Sequence, residues 1–214
     1  MEPSFDRPAE LAVFALHTVL FPGAHLALQV FEERYLGLMD EVLPDGRFVI
    51  AAIRRGQEVG GPAETYRIGV VVGVEDYEAS TDGSFRLQVF AGERVALIER
   101  LPDHAPFPRW RVEPFPDEGG AGTDDLEAAG RALRAYLEAT GDRDRPVLPH
   151  DPVAASWAIA AAVPGLVPAR QALLEVAGAG ERLRQAREVF DAEARLVRAL
   201  GSGSAGADPV VNPN

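Results

Sequence analysis

Residues 19–35 read VLFPGAHLALQVFEERY, an apolar run broken once by Pro22-Gly23 and again by Glu32, Glu33 and Arg34. Pro-Gly is a turn signal, so the first break separates two short strands, Leu11 to Leu16 upstream with its apolar continuation and Leu26 to Phe31 downstream. After the second break the spacing changes. Tyr35, Leu36, Met39, Val42 and Leu43 fall at helical intervals, which predicts a helix over 32–43. Glu32 and Glu33 then occupy its first turn, where carboxylates meet the positive end of the helix dipole. Pro44-Asp45-Gly46 stops it. The two acids can also be read as paired carboxylates for acid–base chemistry, but a helix start accounts for them without it.

Outward from this stretch, residues 11–116 read as mostly β. FVIAAI within 47–53, then 66–77, 84–99 and 107–115 are strand candidates. Asp82-Gly83 between two of them is a hairpin signal favouring a type I′ turn. Five or six short strands with Gly/Pro punctuation predict a barrel-like or sandwich arrangement interrupted by one helix. The composition changes at PDEGGAG, residues 116–122, a flexible linker by content. Beyond it the chain turns helical. Thr123 or Asp124 is placed to cap a helix that stops at Gly141, and Asp151-Pro152 opens another to about Ala162. The latter, VAASWAIAAAV, is apolar nearly all round and should be central. Pro168 opens a third helix, and Gly180 precedes the longest. The expected organisation is a β lobe over 1–116, a linker over 117–122, a helical lobe over 123–200 and a disordered tail over 201–214.

Composition excludes several kinds of chemistry. The formal charge is −12, and both expected lobes share it: residues 1–116 hold 18 acids against 11 arginines, a net −7, which leaves −5 for the remainder. Such a surface repels nucleic acid and anionic membrane at long range. Cysteine is absent, which removes disulfides, thiolate catalysis and cysteine-ligated metals. All 21 basic Lys+Arg positions are arginine. Without lysine a P-loop, a Ser-Lys dyad, a Schiff base and pyridoxal phosphate attachment are impossible. No leader-like or membrane-length apolar run opens or interrupts the chain, so a soluble cytoplasmic protein is expected.

The remaining candidates are few. His17, His25, His104 and His150 form no metal-binding pair, although His17 and His25 flank a turn and could face each other. No GxSxG elbow and no dinucleotide-binding fingerprint occurs. Arg54-Arg55 and Arg109-Trp110-Arg111 are the best basic spots, and alternation in the second puts Trp110 in the core and both arginines outside. The expectation is a protein with no catalytic residues, no metal and no cofactor.

The opening stretch also carries a resemblance. LAVFALHTVLFPGAHLALQVFEERYLGLM, residues 11–39, resembles the start of the Lon substrate-binding domain, the N-terminal region of the ATP-dependent Lon protease, which also occurs as a stand-alone bacterial protein. The matching pieces are Val19 to Gly23, Val30-Phe31-Glu32, Arg34-Tyr35 and Leu38. In order along the chain, Tyr66 to Val71, Asp82-Gly83-Ser84, Gly92-Glu93-Arg94-Val95 and Ala169 to Glu175 are similar to later family segments. Departures are Ala12 and Ala15 for first-strand prolines, Glu33 for a proline and Arg170 for the lysine of the helical motif.

The resemblance implies an α+β fold: an N-terminal PUA-like β-barrel lobe with one inserted helix, followed by a C-terminal helical bundle lobe. It implies a non-catalytic module that binds unfolded or extended polypeptide in a cleft between the lobes, as a substrate receptor or adaptor in protein quality control with a protease or ATPase partner. The lysine-free chain lacks the P-loop lysine of the family's ATPase and the Ser-Lys dyad of its peptidase, so neither ATP hydrolysis nor proteolysis of that kind is expected. RNA binding is the alternative, since PUA-like folds elsewhere bind RNA, and a small-molecule pocket is a third. Phe31, Arg34, Tyr35, Arg67 and Arg94 are the candidate polypeptide-binding residues. Their structural alternatives are core packing for Phe31 and Tyr35, and ion pairs with Glu32 and Glu93 for Arg34 and Arg94.

Overall fold

A computed structural model describes residues 7–43, 46–58, 63–102, 105–143 and 146–203. The first part holds seven strands and one helix: β1 (Ala9–Leu16), β2 (His25–Val30), α1 (Glu33–Val42), β3 (Arg47–Gly56), β4 (Ala63–Thr65), β5 (Ile68–Ala79), β6 (Phe85–Arg100) and β7 (Arg109–Pro114). Four helices follow: α2 (Thr123–Thr140), α3 (Pro152–Ala161), α4 (Val167–Glu175) and α5 (Ala179–Gly203). Pro44, Asp45, His104 and residues 204–214 of the expected tail lie outside the described residues.

The strands form one sheet in the order β1-β7-β6-β5-β3-β4, with β2 added to β6. β1 also pairs in parallel with β3, Val13 opposite Val49, so the path β1-β7-β6-β5-β3 returns on itself. The other pairings are antiparallel. A small cluster inside this circuit takes Val13, Val49, Ala51, Val71, Val95, Leu97 and Val112, at least one from each of the five strands and none from a helix. Their neighbours Phe14, Phe48, Ile50, Val70 and Val72 face the opposite way, into the main core shared with the helices. Burial on both faces explains why β1, β3 and β5 read as nearly unbroken apolar runs rather than as alternation.

Local chemistry sets the turns. Ala24 N–H donates to Phe21 O at 3.2 Å across Pro22-Gly23, and Gly23 has φ 82°. Proline at the second position and a positive φ at the third define a type II turn. The β5–β6 hairpin corrects an expectation. Gly83 has φ 84°, but no non-glycine described residue has a positive φ, so Asp82-Gly83 is not a type I′ turn. The Asp82 carboxylate instead accepts from the Ser84 N–H at 3.0 Å and hydroxyl at 2.7 Å, in a five-residue loop between Ala79 and Phe85. These hydrogen bonds hold the Asp82 carboxyl below the usual carboxylate range.

α1 begins one residue later than expected, with Glu32 as an N-cap that makes no side-chain capping bond. α2 starts at Thr123 behind Gly122, which replaces Thr123 or Asp124 as the N-cap, and it ends at Gly141 in the left-handed conformation. Asp151 caps α3 by accepting the Ala154 N–H at 2.7 Å. As its all-round apolarity requires, α3 is central: Ala155, Ser156, Trp157, Ile159 and Ala160 are all buried. α5 runs to Gly203, three residues into the expected tail.

A polar hub joins the helices to the sheet. Arg94 of β6, 3 % exposed, donates to the carbonyls of Leu174, Val176 and Pro116 and to Asp117 Oδ1. Arg182 of α5 is fully buried and donates to the same Asp117 oxygen, to Ser156 Oγ and to Val176 O. Trp157 Nε1–H donates to Asp117 Oδ2 at 3.1 Å, and both guanidinium groups lie over its ring. α4 adds two ties. Gln171 Nε2 donates to Ile68 O of β5 at 3.0 Å, and Arg170 holds Ala161 O and Val163 O at the end of α3.

Candidate functional site

A cavity of about 550 Å³ opens beside β4, between the start of α1 and the segment 105–110. Arg34, Tyr35 and Arg67 all line it, so three of the five candidate residues converge on one space. Trp110, expected in the core, is only partly buried and forms part of the same wall.

Each of these side chains is held by identifiable contacts. Tyr35, 1 % exposed, stacks on Phe14 with ring centroids 4.0 Å apart, and its hydroxyl accepts the Ala15 N–H at 3.3 Å. Arg34 lies over the Tyr35 ring at 4.5 Å, donates to Glu58 O at 2.6 Å and pairs with Glu32 at 3.1 Å, the expected ion partner. Arg67 rests on Trp110 at 4.8 Å and donates one N–H to Leu97 O at 3.2 Å.

Burial pushes the Tyr35 phenol above its ordinary value, with the Ala15 hydrogen bond opposing more weakly. Because the folded value exceeds the unfolded one, this contribution is complete below about pH 10 and is lost as pH rises through the folded value. Tyr35→Phe is therefore expected to cost about 1 kcal/mol at neutral pH and to flatten the alkaline decline in stability. Urea unfolding midpoints of both proteins between neutral pH and pH 11 check this.

The other two candidates lie elsewhere. Phe31, at the end of β2, is 56 % exposed and not packed in the core. Arg94 is sealed in the hub, and its ion partner is Asp117 at 2.9 Å rather than Glu93. Burial lowers the Arg94 and Arg182 values, Arg182 to about 10, with the Asp117 charge opposing; both stay charged at neutral pH.

A second cavity of about 510 Å³ lies where the sheet meets α4, reaching Phe115 and Glu175. It shares Glu64, Thr65 and Arg67 with the first, so β4 stands between the two. β4 pairs with β3 through Ile53–Thr65, Arg55–Glu64 and Gly56–Ala63, and among the described residues no strand covers its other edge. Three residues give no periodic signal, and sequence reasoning did not find this strand.

Three of the four arginines in the basic spots are neutralised locally. Arg54 pairs with Glu64, Arg109 with Glu41 at 2.5 Å and Arg111 with Glu99. His25 does not meet His17; its Nε2 lies 3.3 Å from Glu75 and its ring packs on Phe90. Among the described residues no group of three His, Asp or Glu is arranged to hold a metal, and no helix is long and apolar enough to cross a membrane.

Comparison with known proteins agrees with this architecture. The family model of the ATP-dependent protease La (LON) substrate-binding domain matches residues 10–191. Lon protease of Azospirillum brasilense is 24% identical over 186 residues, which are 82% of this chain and 23% of that protein. Lon protease of Anaeromyxobacter dehalogenans is 28% identical over 131 residues, 60% of this chain and 15% of that one. The chain thus spans less than a quarter of these relatives. The crystal structure of a Lon N-terminal domain protein from Xanthomonas campestris aligns with TM-score 0.60 and 24% identity, covering 83% of this chain and 96% of that one. The N-terminal domain of the Mycobacterium avium complex Lon protease aligns with TM-score 0.62 and 17% identity, covering 85% and 98%. At these identities the structural matches show a shared fold, while the family model spans most of the chain. The chain belongs to the LON substrate-binding domain family.

Proposed function

We propose that the protein is a non-catalytic module that binds extended polypeptide along β4, as a substrate receptor or adaptor in protein quality control. The observation that carries this is the edge of β4, which no strand covers among the described residues, with a cavity on each side and Arg67 common to both. An edge strand offers backbone hydrogen bonds to any extended chain, and flanking cavities receive its side chains. On this reading the binding groove lies along the sheet edge, and its second cavity extends to Glu175 at the lobe junction. The family match, confined to a substrate-binding domain, supports the same function. No observation favours RNA, since three of the four arginines in the basic spots are paired with carboxylates.

A photo-crosslinking residue at Thr65 is expected to capture reduced, carboxymethylated α-lactalbumin, which is permanently unfolded, several-fold more efficiently than one at exposed Glu138 on α2. Equal capture at both positions, or none, would remove β4 as the binding edge.

A further inference from the structure

In a chain of formal charge −12, the cavity beside β4 is lined by three arginines, Arg34, Arg67 and Arg100, and one acid, Glu64. Glu64 is paired with Arg54, and Arg34 shares its charge with Glu32. Arg67 differs. Its plane is fixed by the Trp110 face and one hydrogen bond to Leu97 O, and among the described residues no carboxylate meets it. A guanidinium held this way keeps part of its planar fork for a ligand, and the group that matches the fork in two parallel hydrogen bonds is a carboxylate. Buried Tyr35 and Phe107 line the same cavity and lower its effective dielectric, which strengthens such a pair. Thr65 is two residues from Arg67 in the chain, so a segment lying along β4 passes within reach of it.

Building on the polypeptide-binding role of β4, we propose that the Arg67 corner of this cavity takes a carboxylate carried by the bound chain, either its C-terminal carboxylate or an Asp or Glu side chain. Backbone pairing along β4 supplies sequence-tolerant affinity, and Arg67 supplies a preference for where the segment ends or where its acid lies.

The test uses the full chain and three dye-labelled decapeptides, followed by fluorescence anisotropy. One peptide has a free C-terminus and no acidic side chain, one is its C-terminal amide, and one is the amide with a single internal Glu. The free acid is expected to bind roughly tenfold more tightly than the plain amide, the scale of one charge-assisted hydrogen bond. The Glu-bearing amide reports whether a side-chain carboxylate substitutes for the terminus. Arg67→Ala should erase the preference of the free acid over the plain amide, and Arg67→Lys should restore only part of it. Arg67 is exposed, and circular dichroism checks that both variants fold. Equal binding of all three peptides to the wild type overturns the carboxylate site and leaves polypeptide binding standing. A preference that survives in Arg67→Ala overturns it too. If no peptide binds, and unfolded α-lactalbumin does not either, both the site and the polypeptide-binding role fall.

Discussion

Asp117→Ala is expected to lower the unfolding free energy by about 3–5 kcal/mol, the usual cost of removing one partner from a buried ion pair. The geometry puts this change at the upper end for a surface-connected carboxylate. Asp117 is the carboxylate that both Arg94 and Arg182 contact, and their side chains are 2 % and 0 % exposed. Without it, two cations remain in a site that water barely reaches, and Trp157 Nε1–H loses its acceptor. Backbone carbonyls of Leu174, Val176 and Pro116 still receive some N–H groups, but they carry no charge to balance the pair.

Because a domain is stable by only about 5–15 kcal/mol, the loss should be visible as a much earlier urea midpoint. Asp117→Asn keeps an acceptor oxygen and should lose less. Glu99→Ala, which removes an exposed partner of Arg111, should stay within about 1 kcal/mol of wild type. Since the hub joins β6, the segment after β7, α3, α4 and α5, its loss should also weaken coupling between sheet and helices. Trp157 fluorescence would then change at lower urea than the far-ultraviolet signal. If Asp117→Ala matches Glu99→Ala, the hub does not hold the halves together.

This hub marks where the sequence stopped being informative. Strand and helix positions were legible because each is a local pattern: apolar runs for β1, β3 and β5, a change to helical spacing after Glu32, Asp151-Pro152 before α3. Asp117 reads locally as one acid in a Gly-rich linker. Its partners lie 23 residues before and 65 residues after it, and no local window links them. The structural alternative for Arg94, an ion pair with its neighbour Glu93, accordingly misses Asp117. The hairpin between β5 and β6 is where Asp82-Gly83 puts it, but its turn type was misread for a related reason: type I′ follows from backbone preference, whereas the Asp82 side chain selects a different loop by binding Ser84. Of the candidate site, Arg34, Tyr35 and Arg67 came from motif position, and the structure brings them to one cavity. Trp110 and β4 were missed as parts of it because one needs the tertiary fold and the other is too short to show periodicity.

The same tertiary dependence separates two glycines on one strand. Gly69→Ala is expected to cost about 1–3 kcal/mol, the range for forcing extra volume into a packed core. A Cβ there would lie 2.7 Å from Ile50 O and 2.8 Å from Val49 Cγ1, on the side where β3 and β5 enclose the inner cluster. The Val49 methyl can rotate away, but the Ile50 carbonyl cannot move without disturbing the β3–β5 pairing of Val70 with Ile50. Gly69→Val adds branched atoms to the same contact and should cost more. Gly73, four residues on, offers the control: a Cβ there meets nothing within 4 Å, and its φ is not positive. Gly73→Ala should therefore be neutral or stabilise by up to about 1 kcal/mol, because alanine restricts the unfolded chain without meeting an obstacle in the folded one. Opposite signs for one substitution at two positions of β5, read from urea midpoints, would establish the close approach inside the strand circuit. Equal effects would place Gly69 in open space and remove the steric reason for a glycine between Ile68 and Val70.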